Sequence, residues 1–291
     1  MAWLGRRGLA TLVRSALSRT AAEYPTKAAV LVRSAPSKPA GSVAGPAPHR
    51  WSAAGVVEHS GAVAQGLLEL AAPGDAVAAA LGNTAERVAV QLGAASAGLR
   101  LLDCGLGLSK EAVLKVLREH KVRVLCVAPS QMEAVYAALP GLKQLALDDS
   151  APLRLAEAPH LRYVLQSGLV PLRGTHRFKD VLVYNALVDR VDGLARQDAA
   201  PFFAAVDAAS GKVTAELTQK QALDQAAAKA KELKIVGDSR VVFKGSSGTA
   251  LLHASLGCVM AKALLVIPAE VHDDKAITLA QDKDDCKIAF V

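Results

Sequence analysis

Residues 73–83 read Pro73-Gly74-Asp75-Ala76-Val77-Ala78-Ala79-Ala80-Leu81-Gly82-Asn83, with an unbroken apolar run from Val77 to Leu81 between two turn-forming stretches. A strand with one wet face alternates polar and apolar residues, so a short run without alternation is the pattern of a strand covered on both faces. Working outward, further strand candidates occur at Val122–Val127, Leu161–Leu165, Val181–Tyr184, Val241–Phe243 and Ala263–Ile267, most of them apolar on consecutive positions. Segments of helical period separate them. Ser109 caps a predicted helix with Val113, Val116, Leu117 and His120 on one face. Thr218 and Gln221 have capping-box spacing ahead of Leu223, Ala226, Ala227, Ala230 and Leu233. Strands alternating with helices predict an α/β fold with largely parallel sheets flanked by helices.

Composition narrows the function classes. The chain has 291 residues, 52% of them hydrophobic but only 4% aromatic, so its interior is built mainly from Ala, Val and Leu. No 18-residue apolar stretch is free of charge, and the best candidate, Ser255–Ala269, is broken by Lys262 and closed by Pro268. The formal charge is +7, of which Arg6, Arg7, Arg14 and Arg19 supply four, leaving +3 for everything else. That distribution, without aromatic residues near basic clusters, argues against nucleic-acid binding. Cys104, Cys126, Cys258 and Cys286 form no CxxC pair, and the seven histidines form no HxH or HExxH spacing, so no metal site is predicted.

Three segments were expected to stand apart. Residues 1–22 carry no acid before Glu23 and place Leu9, Leu12, Val13, Ala16 and Leu17 at helical spacing opposite Arg7 and Arg14. That is the composition of a mitochondrial or chloroplast transit peptide; a basic surface helix is the plainer reading. Between 33 and 50, Pro36, Pro39, Pro46 and Pro48 with Gly41 and Gly45 predict a long loop. Residues 270–291 hold six acids against three lysines and no periodic pattern, which predicts an acidic surface tail. The α/β domain itself is expected over 23–269.

Candidate sites each have a plain structural reading. Lys244-Gly245-Ser246-Ser247-Gly248-Thr249 lies between a predicted strand and a predicted helix at Thr249–Ala261, where free N–H groups hold anions, but the same residues also make an ordinary helix cap. Gly105-Leu106-Gly107-Leu108-Ser109 lacks the third glycine of a dinucleotide loop and reads as the approach to the Ser109 cap. Cys258 on the later helix reads as a buried thiol, and His272-Asp273-Asp274 as a solvated charge run.

The order of segments resembles the N-terminal domain of the acyl-CoA synthetases, the adenylate-forming ligase superfamily. Tyr24-Pro25-Thr26-Lys27-Ala28-Ala29-Val30 is similar to its opening motif and Arg50–Val56 to its following helix start. Gly74-Asp75-Ala76-Val77, Leu81-Gly82-Asn83, Gln91–Leu102 and Ser109–Val127 follow in the family's order, then Glu216–Leu223 and Gly237–Val242. The family's Ser/Thr/Gly-rich phosphate loop falls where this chain reads Val206-Asp207-Ala208-Ala209-Ser210-Gly211-Lys212-Val213. That stretch is shorter, nearly free of hydroxyls, and sets an acid where phosphate belongs.

The resemblance therefore implies an incomplete, degenerate ligase-like domain lacking the phosphate loop and the later catalytic motifs. It predicts no enzyme, no catalytic, cofactor-binding or metal residues, and no cofactor. A domain stopped partway leaves strand edges that partners must cover, which predicts other subunits of a large hetero-oligomeric complex and membrane association only through them. Size, basic start and eroded ligase-like sequence together are similar to the ATP synthase-associated (ASA) subunits of the peripheral stalk in chlorophycean mitochondria. That similarity implies a structural stator subunit on the matrix side of the inner membrane, serving proton transport without chemistry of its own. The alternative is a nucleotide- or acyl-CoA-binding protein that retains a ligase-like pocket.

Overall fold

The computed structural model describes residues 11–33, 49–147, 151–184, 191, 200–268, 278 and 284–291. Two sheets carry the chain among these residues. The seven-stranded sheet has the order β7 (His176–Arg177), β6 (Tyr163–Gln166), β5 (Val124–Val127), β3 (Ala76–Ala80), β4 (Arg100–Asp103), β8 (Phe203–Val206), β9 (Val213–Leu217). The five-stranded sheet has the order β12 (Ile288–Phe290), β10 (Arg240–Phe243), β11 (Leu264–Ile267), β1 (Ala28–Val32), β2 (His49–Ser52). All neighbours pair in parallel except β8 with β9 and β1 with β2.

Strand β3 is buried at every position, as its unbroken apolar run requires. Its residues divide by the two-residue period of a strand. Ala76, Ala78 and Ala80 join Val113, Val116 and Leu117 of α4 (Lys110–Glu119) and Val135 of α5 (Met132–Ala138) in one cluster. Val77 and Ala79 face a larger cluster formed with α2 (Ala53–Leu70) and α3 (Ala85–Ser96). That larger cluster also takes in Val30, Val241 and Leu265 of the second sheet and residues of α1 (Leu12–Glu23), α6 (Gln219–Glu232) and α7 (Gly248–Met260). Five helices thus share one core with both sheets. The helix starts are those the sequence marks: Ser109 accepts from the Ala112 amide, Thr218 and Gln221 close a capping box, and Ser247 caps α7.

Four expectations are corrected. Val181–Tyr184 is not a strand: Phe178–Val181 forms a 3-10 turn, and the Val183 amide donates to Ala62 O on α2, which removes it from any ladder. The approach is so close that a Cβ on Gly66 would lie 1.9 Å from Val181 O. The described part of 1–22 is not a surface helix, because Val13 and Leu17 of α1 lie in the common core, Ala16 is buried, and Gln219 Oε1 accepts from the Val13 amide. Nor are residues 284–291 a surface tail. Strand β12 pairs with β10, Phe290 is buried, and Arg33 holds the Asp284 carboxylate through two bonds of 2.6 and 2.7 Å. Finally, β1, β2, β4, β7, β8, β9 and β12 form ladders where no strand was expected. The Pro/Gly-rich stretch 34–48 lies outside the described residues.

Because α1 fills the core, Leu17→Ala should cost about 2–5 kcal/mol in urea unfolding. Deleting residues 1–22 should abolish cooperative melting. A deletion that melts like the full chain would contradict the packing described.

Candidate functional site

A cavity of about 930 Å³ opens at the carboxyl ends of the parallel strands. Its lining comes from the residues that directly follow each strand: Gly82 after β3, Cys104 after β4, Pro129 after β5, Ser167 after β6 and Asp207 after β8. Strand direction explains the position, since loops leaving parallel strands diverge there and leave a crevice. Ser246, Ser247 and Gly248, at the entry to α7, close the opposite wall.

The floor is an ion pair. Arg87, from the first turn of α3, donates Nη2 to Asp103 Oδ1 at 2.6 Å and Nε to both carboxylate oxygens at 3.1 and 3.2 Å. The two side chains are 3% and 0% exposed. Gln91, one turn further along α3, donates to Asp103 Oδ2 at 2.6 Å and to Gly248 O at 3.0 Å. The Gly105 amide adds a fourth donor group to the carboxylate. Arg87 Nη1 reaches Asn83 Oδ1 at 2.9 Å and Ser246 O at 3.4 Å, while Asn83 donates to Gly245 O. Asp103 lies so close to the start of α7 that a Cβ on Gly248 would sit 2.5 Å from its Cγ. Glycine is the residue that fits.

The β8–β9 turn forms the mouth, and most of its amides are already used. Asp207 N–H donates to Lys212 O, Gly211 N–H to Asp207 O, and Ser210 donates through both N–H and Oγ to Asp207 Oδ1 at 2.8 and 2.6 Å. These bonds from Ser210 hold the Asp207 carboxyl below the usual carboxylate range, so it stays ionised at neutral pH. Ser109 Oγ and Lys115 Nζ donate to Ala209 O and Ser210 O and fasten the turn to α4. Among the described residues lining the cavity, Arg87 is the single Lys or Arg, and Asp103 neutralises it.

The sequence candidates fall around this cavity with different outcomes. Ser246 and Ser247 line it, and Ser247 is the cap of α7, as the plain reading held. The carbonyls of Gly245, Ser246 and Gly248 accept from Asn83, Arg87 and Gln91. Gly105 and Leu106 also line the cavity, and Gly107 and Leu108 donate their amides to Gln131 Oε1 on the way to the Ser109 cap. Cys258 is fully buried on α7 and burial pushes its thiol up; burial pushes Cys126 up to about 12. His272-Asp273-Asp274 lies outside the described residues, and among those described no three His, Cys, Asp or Glu side chains gather as a metal site. Sequence reasoning missed Arg87, Gln91 and Asp103. Their one signal was charge inside apolar context: Asp103 after Leu101-Leu102, and Arg87 beside Val88 and Val90.

Comparisons with known proteins agree with the fold. The family model for the AMP-binding enzyme matches residues 17–178. A comparison with curated proteins finds no match. Among solved structures, the chain is similar to apo MbtA from Mycobacterium smegmatis, with TM-score 0.72 and 20% identity over 98% of this chain and 48% of that one. It is similar to the N-terminal domain of FACL13 from Mycobacterium tuberculosis, with TM-score 0.70 and 15% identity over 95% of this chain and 62% of that one. Acetoacetyl-CoA synthetase from Streptomyces lividans gives TM-score 0.71 and 16% identity over 95% of this chain and 42% of that one. The chain thus spans 48% of the length of MbtA, and at these identities the likeness is one of fold.

Two outcomes test the site. Arg87→Ala should destabilise the protein by about 3–5 kcal/mol because it strands a buried carboxylate, and Arg87→Leu with Asp103→Leu should cost much less than that in thermal unfolding. With their thiols buried, Cys104, Cys126 and Cys258 should not react with a thiol reagent at pH 8 until denaturant is added, as a spectrophotometric titration reads directly.

Proposed function

Starting from the fact that the chain belongs to the AMP-binding enzyme family, matched over more than half its length, we propose that it is a non-catalytic member in which the ligase-like domain serves as a structural body. The observation that carries this reading is the Asp207–Lys212 turn. Phosphate binding at a strand-to-strand loop needs free N–H groups and a nearby cation. Here four amides or hydroxyls bond within the turn, an ionised carboxylate sits at the mouth, and the one lining Arg is spent on Asp103. A magnesium-bound nucleoside triphosphate brings negative charge to a site whose described lining residues offer no net positive charge. The electrostatic stabilisation on which nucleotidyl transfer depends is therefore missing among them.

The finer reading is a scaffold in the peripheral stalk of a mitochondrial ATP synthase, on the matrix side of the inner membrane, with other subunits as its partners. Its support is the acid-free basic start carrying Arg6, Arg7, Arg14 and Arg19, the eroded phosphate loop, and the absence of any described helix long and apolar enough to cross a membrane. A second reading, nucleotide or acyl-CoA binding without chemistry, is favoured by one feature, the 930 Å³ cavity that the turn leaves open.

Titration calorimetry separates the readings. Magnesium ATP, AMP and an acyl-CoA should give no saturable heat with the full chain; micromolar binding of any of them would sink the structural reading in favour of the second. On a non-denaturing gel of mitochondrial membranes the protein should run with ATPase activity in a large complex. A free monomer would overturn the stalk assignment while leaving the absence of catalysis standing.

A further inference from the structure

At the far end of the seven-stranded sheet, where the chain enters β5 and β6, a second hollow of about 630 Å³ has three arginines in its lining. Arg123 immediately precedes β5, Arg162 immediately precedes β6, and Arg154 comes from the loop between α5 and β6. Pro152, Leu155 and Pro159 supply apolar wall, with Tyr163 beside them.

The guanidinium groups are only partly committed. Arg162 donates Nη1 to Leu153 O, Pro159 O and Leu161 O at 3.3, 2.8 and 3.2 Å, which holds the loop in shape. Arg123 uses Nε, toward Leu70 O at 3.0 Å and Asp75 Oδ2 at 3.5 Å. Arg154 is exposed and donates no hydrogen bond to a described residue. Nε and Nη2 of Arg162, both terminal nitrogens of Arg123 and the whole Arg154 fork therefore remain for a ligand. Among the described residues Asp75 is the one carboxylate in ion-pair reach of the three, so these four named groups together carry a net charge of about +2.

We propose that this hollow is a binding site for a phosphate group attached to an apolar body. The chemistry selects that class. Guanidinium forks match the oxygens of phosphate in paired hydrogen bonds, and a phosphate monoester near its dianionic form balances the charge. The Pro and Leu walls give an apolar substituent a dry surface that inorganic phosphate cannot use. The loop is already held by Arg162, so little ordering is left to offset binding. The site is independent of the cavity at the other end of the sheet and of the function proposed for it.

The test uses the full chain with two probes, inorganic phosphate and the water-soluble short-chain lipid dihexanoylphosphatidic acid, read by titration calorimetry. The lipid phosphate should saturate, bind at least about tenfold tighter than inorganic phosphate, and weaken as salt rises. Arg154→Gln should lower its affinity about tenfold, and Arg154→Glu more, with the melting temperature within a few degrees of wild type because Arg154 is exposed and donates no bond to a described residue. Co-sedimentation with phosphatidic acid/phosphatidylcholine vesicles assigns the source: capture marks a membrane headgroup, and binding of the soluble probe alone marks a soluble ester. No saturation with either probe, equal affinity for both, or an Arg154→Gln protein that binds like wild type would overturn the proposal.

Discussion

Asp103 ends a central strand with its carboxylate shielded from water, and the architecture around the cavity depends on how that charge is held. Removing a carboxylate and a guanidinium from water costs several kcal/mol per ion, recovered only when geometry is close and every remaining polar atom is met. Here the carboxylate receives Arg87 Nε and Nη2, Gln91 Nε2 and the Gly105 amide, while Arg87 spends Nη1 on Asn83 and the Ser246 carbonyl. The acceptors and donors come from α3, β4 and the entry to α7. Since β4 belongs to one sheet and α7 follows a strand of the other, the network ties the two sheets at the cavity floor. The start of a helix favours negative charge, which gives Asp103 a further reason to lie against Gly248.

The two ends of the seven-stranded sheet are thereby made electrostatically different. At the carboxyl ends the basic group is cancelled internally and Asp207 adds a negative charge at the mouth. At the amino ends Arg100, Arg123 and Arg162 stand at the entries of three of the parallel strands, β4, β5 and β6. Arg100 is taken up by Glu216 across the sheet edge and Arg123 partly by Asp75, whereas Arg162 and Arg154 line the hollow without a carboxylate partner among the described residues. In a chain whose aromatic content is so low, this separation of charge, rather than shape alone, distinguishes one crevice from the other.

How far the sequence revealed this follows from which residues carry local signals. Val77–Leu81 lacked alternation because β3 is covered by helices on both faces, so its strand was legible from composition alone, and the caps at Ser109, Thr218 and Ser247 were legible because capping is decided within three residues. Strand β4 was not: Arg100-Leu101-Leu102-Asp103 has two apolar residues between opposite charges, and only the partner Arg87, 16 positions away, makes Asp103 tolerable inside. Strand β12 was hidden in the same way, its acids masking Phe290, which β10 and the shared core bury. Val181–Tyr184 erred in the opposite direction. Val181 and Leu182 are half-buried against the core, the Ala62 carbonyl of α2 captures the Val183 amide, and Tyr184 is exposed. Local pattern thus overstated the burial and missed the hydrogen-bond partner.

Two features that favour anions, the amides of a strand-to-strand turn and the start of a helix, border one cavity, and each is filled by a carboxylate of the chain itself. Asp207 collects the Ser210 donors and Asp103 occupies the approach to α7. Neutralising Asp207 alone would free the turn yet leave Arg87 bound to Asp103; removing Asp103 alone would free Arg87 yet leave Asp207 repelling at the mouth. Both acids thus oppose an anion at this end of the sheet, and losing Asp103 would also cut the tie between the sheets. The buried pair that confers stability is the same interaction that cancels the one basic side chain among the described lining residues, while Asp207 leaves the mouth negative.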